Sequence, residues 1–150
     1  GNVFMKKSDD VFIKSKDFLD QNMLKKKYDF LIVDFHGEIT SEKMAIGHVF
    51  DGNATFVVGT HTHVPTNDGR VLSKGTAYLT DAGMCGDYDS VIGMNAENSI
   101  NRFYKRDSVK HFPAEGEASL CGAIVEANPK NGLASNISQF IFGGQLQKDN

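Results

Sequence analysis

No stretch of this chain approaches the roughly 20 consecutive apolar residues that a helix needs to cross a bilayer, and its first residues carry no signal-peptide pattern. A membrane partner is therefore not expected. Cysteine is scarce: Cys85 and Cys121 lack the spacing of a zinc site or a redox pair, which argues against a disulfide scaffold and for a reducing compartment, the cytoplasm. An excess of one charge is missing too. The 16 Lys and Arg stand against 19 Asp and Glu, and the basic residues are scattered apart from Lys25-Lys26-Lys27, so no electrostatic nucleic-acid surface is indicated. That triplet is expected at a helix end, where it complements the helix dipole. No internal repeat or low-complexity linker divides the sequence, and 150 residues suffice for one domain with its own core. A homo-oligomer stays open.

What the chain does contain is an alternation of strand-like and helix-like segments. Ser8-Asp9-Asp10 reads as a helix start, with Phe12, Leu19 and Met23 near one face and an end close to the lysine triplet. Tyr28 to Phe35 is a nearly unbroken apolar run, as in a strand buried on both faces, with Asp34 and His36 on one side of its carboxyl end and Phe35 on the other. Thr40 or Ser41 can cap a short helix with Glu42 in its first turn and Met44, Ala45, Ile46 and Val49 inward; Asp51-Gly52-Asn53 ends it. Ala54 to Val58 reads as a second buried strand, which completes a parallel strand-helix-strand unit. Turns are expected at Asn67-Asp68-Gly69-Arg70 and Lys74-Gly75, followed by a strand at Thr76–Thr80 and a helix over 95–104 with Ile100, Phe103 and Tyr104 at helical spacing. Leu120–Val125 and Ile137–Phe142 flank Asn128-Pro129-Lys130-Asn131-Gly132 as an antiparallel hairpin. The fold class is α/β.

Three histidines stand at strand ends: His36, and the pair in Gly59-Thr60-His61-Thr62-His63 directly behind Phe56-Val57-Val58. In an extended segment residues i and i+2 face the same side, so His61 and His63 would address one small volume. Neutral imidazole is a good ligand for zinc, iron and manganese. Ligands in open α/β sheets gather beyond the carboxyl ends of the strands, where both clusters fall. Asp34, Glu38 and Asp81 are the carboxylates placed to join them, as ligands or as acceptors that orient an imidazole; the alternative for each is a turn or capping acid. His48 and His111 have no neighbouring ligand and read as structural or solvent-exposed. Lys43 and Arg70 could meet a phosphate or lie on a solvated surface, and Gly83 and Gly86 could admit an anion or make a tight turn.

Three ordered blocks carry a resemblance to a known family. Asp34-Phe35-His36-Gly37-Glu38-Ile39-Thr40-Ser41-Glu42-Lys43, Val58-Gly59-Thr60-His61-Thr62-His63-Val64 and Lys74-Gly75-Thr76-Ala77-Tyr78-Leu79-Thr80-Asp81-Ala82-Gly83-Met84 resemble the carboxyl-terminal part of YmdB-like metallophosphoesterases, a branch of the calcineurin-like superfamily. The resemblance implies part of a four-layer α/β/β/α sandwich, the second half, with mixed sheets flanked by helices. It implies two metal ions (iron, manganese or zinc), one served by His36 and His61 and the other by His63. It implies hydrolysis of small phosphodiesters, among them 2′,3′-cyclic and 3′,5′-cyclic nucleotides, by activated water.

The family's first half supplies an aspartate near the first strand, a Glu-Asn pair and a Gly-Asn-His block that includes the expected proton donor; none of these occurs here. The chain opens on Gly1, and Val3-Phe4-Met5 reads as the tail of a strand already under way. Residues 1–150 are thus expected to be the carboxyl-terminal portion of one metallophosphoesterase domain, inactive or weak alone, with sheet edges and apolar surface left open. Two rivals are a truncated, non-catalytic regulatory or interaction module of the same fold, and a metallophosphatase-like relative of capsule synthesis, which shares the Gly-x-His-x-His-Val block. Thr80-Asp81-Ala82-Gly83-Met84 favours the phosphodiesterase branch.

Overall fold

Asp10 starts the first helix as a cap: its carboxylate accepts from the backbone N–H groups of Phe12 and Ile13 at 2.9 and 3.0 Å, satisfying two donors that a helix start leaves open. The computed structural model describes residues 1–5, 9–104 and 110–147, so Ser8, expected at this helix start, lies outside the described residues. Helix α1 runs Val11–Gln21 and ends well before the lysine triplet, which instead lies in a turn with Lys25 at φ 62°. Phe12 and Met23 are exposed; Val11 and Leu19 are the positions that pack on the core, and the Phe18 ring meets Phe50 at 6.5 Å. Val3-Phe4-Met5 is a turn with Phe4 at φ 56°, not a strand tail.

The middle of the chain alternates as the sequence implied. Strand β1 (Ile32–His36), helix α2 (Thr40–Phe50) and β2 (Phe56–Thr60) form a parallel strand-helix-strand unit; β3 (Arg70–Val71) and β4 (Ala77–Leu79) follow. These strands make one mixed sheet in the order β1-β2-β4-β3, with β2 and β4 parallel and β3 antiparallel to β4. Strand β1 is not buried on both faces as its apolar run suggested: Ile32, Asp34 and His36 on one face are exposed, Ile32 at 67%, while Phe35 on the other is buried. Helix α2 turns Ile46 inward and packs Val49 on the core as expected, but its buried face is centred elsewhere. Ile39 is its cap residue and offers no side-chain bond, Met44 is exposed, and the buried positions are Glu42, Lys43, Ile46, Gly47 and Phe50. Gly47 lets α2 lie close on β4, since a Cβ there would come within 2.5 Å of the Tyr78 ring. Phe35, Ile46, Phe50, Val57, Leu72 and Tyr78 make the core between helices and sheet.

A second, antiparallel sheet has the order β5-β6-β7: Gly86–Asp87, Ala118–Ala127 and Ala134–Phe142. The expected hairpin is present and longer than the apolar residues alone marked, whereas the two-residue β5 gave no periodic signal. Strand β7 packs against β3 and β4, and its Gln139 accepts from Gly69 N–H at 3.1 Å and donates to the Thr66 carbonyl, joining the sheets. Helix α3 (Ala96–Phe103) is capped by the Asn95 side chain, but Ile100, Phe103 and Tyr104 face outward and its buried residues are Asn98 and Ser99. The molecule is α/β, with sheets flanked by helices. Among the described residues no helix is long and apolar enough to cross a membrane.

Candidate functional site

Parallel pairing brings the carboxyl ends of β1 and β2 to one edge, and its register sets His36 opposite Thr60. Thr60 Oγ1 donates to Asp34 Oδ1 at 3.0 Å and lies 3.1 Å from His36 Nδ1. The hydroxyl has one proton, already committed, so it can only accept from His36; the proton of that ring sits on Nδ1 and Nε2 carries a lone pair. His61 follows β2 by one residue. Its Nε2 is 2.5 Å from Glu38 Oε2, and an ionised carboxylate only accepts, so the His61 proton sits on Nε2 and its Nδ1 carries the lone pair. These two lone pairs face each other: His61 Nδ1 is 3.0 Å from His36 Nε2, with the rings edge to face at 4.8 Å between centroids.

Two lone pairs at that distance repel unless a positive charge lies between them, either a proton or a cation. Nitrogens bound to one tetrahedral ion at about 2.0–2.1 Å would stand about 3.3 Å apart, so the observed separation suits a shared cation with little movement. His63 is held differently. Its Nδ1 lies 2.8 Å from the Ile92 carbonyl, which only accepts, so Nδ1 carries the proton and Nε2 is left as the available acceptor. Among the described residues no group of three or more His, Cys, Asp or Glu side chains is arranged to hold a metal ion.

The His61-Thr62-His63 segment is not extended. His61 has φ 123° and His63 φ 66°, so the same-side rule for strands does not govern where the rings point. Such φ values cost on the order of 1–3 kcal/mol each and persist only where surrounding bonds impose them. Three such bonds are present: Thr62 N–H donates to Asp81 Oδ2 at 2.9 Å, Met84 N–H to the His63 carbonyl at 3.1 Å, and the Tyr88 hydroxyl to that carbonyl at 3.0 Å. Burial and the neighbouring Cys121 thiol hold the Tyr88 phenol above its ordinary range, so it keeps its proton, which the His63 carbonyl at 3.0 Å shares with the Met84 carbonyl at 3.1 Å.

Asp81 is placed to hold this loop's backbone. It is completely buried and accepts from Lys43 Nζ at 2.8 Å and from Gly83 N–H at 2.9 Å as well as from Thr62. Burial alone would raise its carboxyl, but Lys43 and the two N–H groups outweigh that and hold it below the usual carboxylate range. Lys43 is 1% exposed, so it is no phosphate contact. Arg70 pairs with Asp68 at 3.1 Å and stacks on Tyr78 at 5.0 Å. His48 and His111 are exposed. Thr60 and Ile92 escaped the sequence reading. Parallel register could have pointed to Thr60; nothing in the sequence marks the Ile92 carbonyl.

Comparison with known proteins gives this geometry a context. The family profile described as "YmdB-like protein" matches residues 1–140. A 2′,3′-cyclic-nucleotide 2′-phosphodiesterase from Bacillus subtilis is 41% identical over 142 residues, covering 95% of this chain and 53% of that protein. A crystal structure of a hypothetical protein from Thermus thermophilus superposes with a TM-score of 0.86 at 38% identity, over 97% of this chain and 55% of the other. A crystal structure of a novel phosphatase from Mycoplasma pneumoniae gives 0.81 at 38% identity, over 91% and 48%. This chain thus spans about half the length of these relatives. With the three sequence blocks, the profile match and the shared fold in agreement, the chain belongs to the YmdB-like protein family.

Proposed function

We propose that this chain forms the histidine-bearing part of a metal-dependent phosphodiesterase that hydrolyses 2′,3′-cyclic nucleotides, 3′,5′-cyclic nucleotides or related small phosphodiesters. The observation that carries the reading is the approach of His36 Nε2 and His61 Nδ1 to 3.0 Å, two ring nitrogens that Thr60 and Glu38 leave free to share a cation. His36 and His61 would hold one ion, and His63, through its free Nε2, a second; iron, manganese and zinc all suit imidazole. When bound, the ions supply positive charge to the phosphoryl oxygens and lower the pKa of the attacking water.

The residues of this chain do the positioning. Glu38 accepts from His61, and Thr60 with Asp34 accepts from His36, which fixes both tautomers and makes the facing nitrogens more basic. Asp81 and Lys43 keep the backbone between His61 and His63 in place from below. Three imidazoles supply only part of a dinuclear shell, so the activity belongs to a longer protein and the 150 residues alone hydrolyse weakly or not at all.

The test is metal analysis of the chain, together with turnover of bis-p-nitrophenyl phosphate by the chain and by a form extended at its amino end to its relatives' length. The extended form should turn over and retain metal, and His61→Ala and His63→Ala should each lower its metal content; unchanged content in both variants would overturn the ligand assignment. The neighbour named a phosphatase favours a second reading, hydrolysis of monoesters. Turnover of p-nitrophenyl phosphate but not its diester would select that one.

A further inference from the structure

A cavity of about 320 Å³ lies between the Val91–Met94 turn and α3, within the roughly 300–1,000 Å³ of small-molecule sites. It shares a residue with the histidine cluster, because the Ile92 carbonyl that fixes His63 belongs to the turn forming its wall. Ile92 is β-branched yet has φ 50°, a conformation such residues rarely accept. The turn imposes it through reciprocal bonds between Val91 and Met94 at 2.9 and 3.0 Å, and Ser90 Oγ accepts from Gly93 N–H at 2.9 Å.

The opposite wall is α3. Ser99 lines the cavity, is 5% exposed, and its Oγ has no hydrogen-bond partner among the described residues. A buried hydroxyl left in that state costs free energy that an entering polar group would recover. Phe103, 82% exposed, also lines the cavity, with Arg102 and His111 beside it. The lining therefore combines apolar surface from Ile92 and Met94, an aromatic ring, a guanidinium, an imidazole and an unpartnered hydroxyl. A flat apolar body with a polar edge and hydroxyl groups matches that set, and a nucleoside has this form.

We infer that this cavity binds the nucleoside part of the phosphoester, with the base against Phe103, Ile92 and Met94 and the polar edge and ribose on Ser99, Arg102 and His111. The assignment to a phosphoester rests on the phosphodiesterase reading, but occupancy by a nucleoside can be tested without it. Methyl NMR of the 150-residue chain, labelled at Ile and Met, is titrated with adenosine, with 2′,3′-cyclic AMP and with inorganic phosphate as control.

Adenosine and the cyclic nucleotide should shift the Ile92 and Met94 methyl signals saturably, and phosphate should not. Phe103→Ala should raise the adenosine Kd at least about fivefold, the lower end of what losing a base-aromatic stack costs, and Phe103→Tyr should restore it. Absence of a saturable shift, a shift produced equally by phosphate, or an adenosine Kd unchanged in Phe103→Ala would each overturn the inference. Metal content and diester turnover are measured separately on the extended form, so the two readings fail apart. Metal and turnover without adenosine shifts would remove the cavity's role alone. Adenosine binding without metal or turnover would uphold the nucleoside site and remove the phosphodiesterase.

Discussion

Asp81→Asn should be among the most damaging single-atom changes available in this protein. Asp81 and Lys43 form an ion pair at 2.8 Å with both side chains 1% exposed, and Asp81 is the one bonding partner recorded for the ammonium among the described residues. Breaking a buried pair on one side leaves an uncompensated charge and costs about 3–5 kcal/mol, which at this chain length lowers the Tm by about 6–20 °C. Lys43→Met should cost less, about 3 kcal/mol, because the carboxylate keeps the N–H groups of Thr62 and Gly83. The double variant should be less damaging than the sum, by up to about 3 kcal/mol of coupling. Thermal and urea unfolding of the four proteins followed by circular dichroism provides the measurement. The pH dependence adds a sign. The Asp81 carboxyl is held below its unfolded value, so its contribution is fully present above about pH 4 and is lost as pH falls through the lower folded value. Removing Lys43 leaves burial to raise that value, and acid destabilisation should then begin at higher pH. If both single variants shift Tm by less than about 2 °C, or if Lys43→Met leaves the acid limb unchanged, the reasoning about this pair is wrong.

Glu38 is exposed and bonds His61 at 2.5 Å, so Glu38→Gln should leave Tm nearly unchanged while lowering metal affinity of the extended form about 10–100-fold, read by competition with a chromogenic chelator. Thr60→Val removes the hydroxyl between Asp34 and His36; a loss in the same range of about 10–100-fold is expected, and an unchanged metal affinity would contradict the tautomer assignment. Gly59→Ala should prevent stable folding, since its Cβ would fall 1.8 Å from the Thr80 carbonyl oxygen, a backbone atom that cannot yield without opening the β2–β4 pairing. A soluble Gly59→Ala protein with native circular dichroism would show that this close approach is not required.

The strand-helix-strand unit was legible because its apolar runs and capping acids are local signals, and α2 and β2 fall within two residues of where those signals put them. The misreadings were of environment rather than of element. Tyr28 to Phe35 is apolar enough for a strand covered on both faces, yet the face with Ile32, Asp34 and His36 is open, and what covers a face depends on packing between residues far apart in sequence. In α2, Met44 looked like an inward residue and Lys43 like a surface cation; the helix buries Lys43 because its partner Asp81 waits 38 residues on, which no helical periodicity encodes. For α3 the apolar residues at helical spacing lie outside and Asn98 and Ser99 inside, again a choice made by the surroundings.

The same distinction explains the histidines. Their chemistry was readable from residue type and from position at strand ends, whereas their orientation was not, because it depends on backbone that the strand rule does not describe. His61 and His63 occupy φ values that L-residues avoid, and the bonds that hold them there come from Asp81, Met84 and Tyr88, all later in the chain. Their combined strain, on the order of 2–6 kcal/mol, is comparable with the cost of breaking the Lys43–Asp81 pair. An Asp81 variant that stays folded should therefore relax this loop before it melts the sheet. In that case metal affinity of the extended form would fall at temperatures well below the Tm. If affinity and fold were lost together at every temperature, the loop would be no more dependent on Asp81 than the core is.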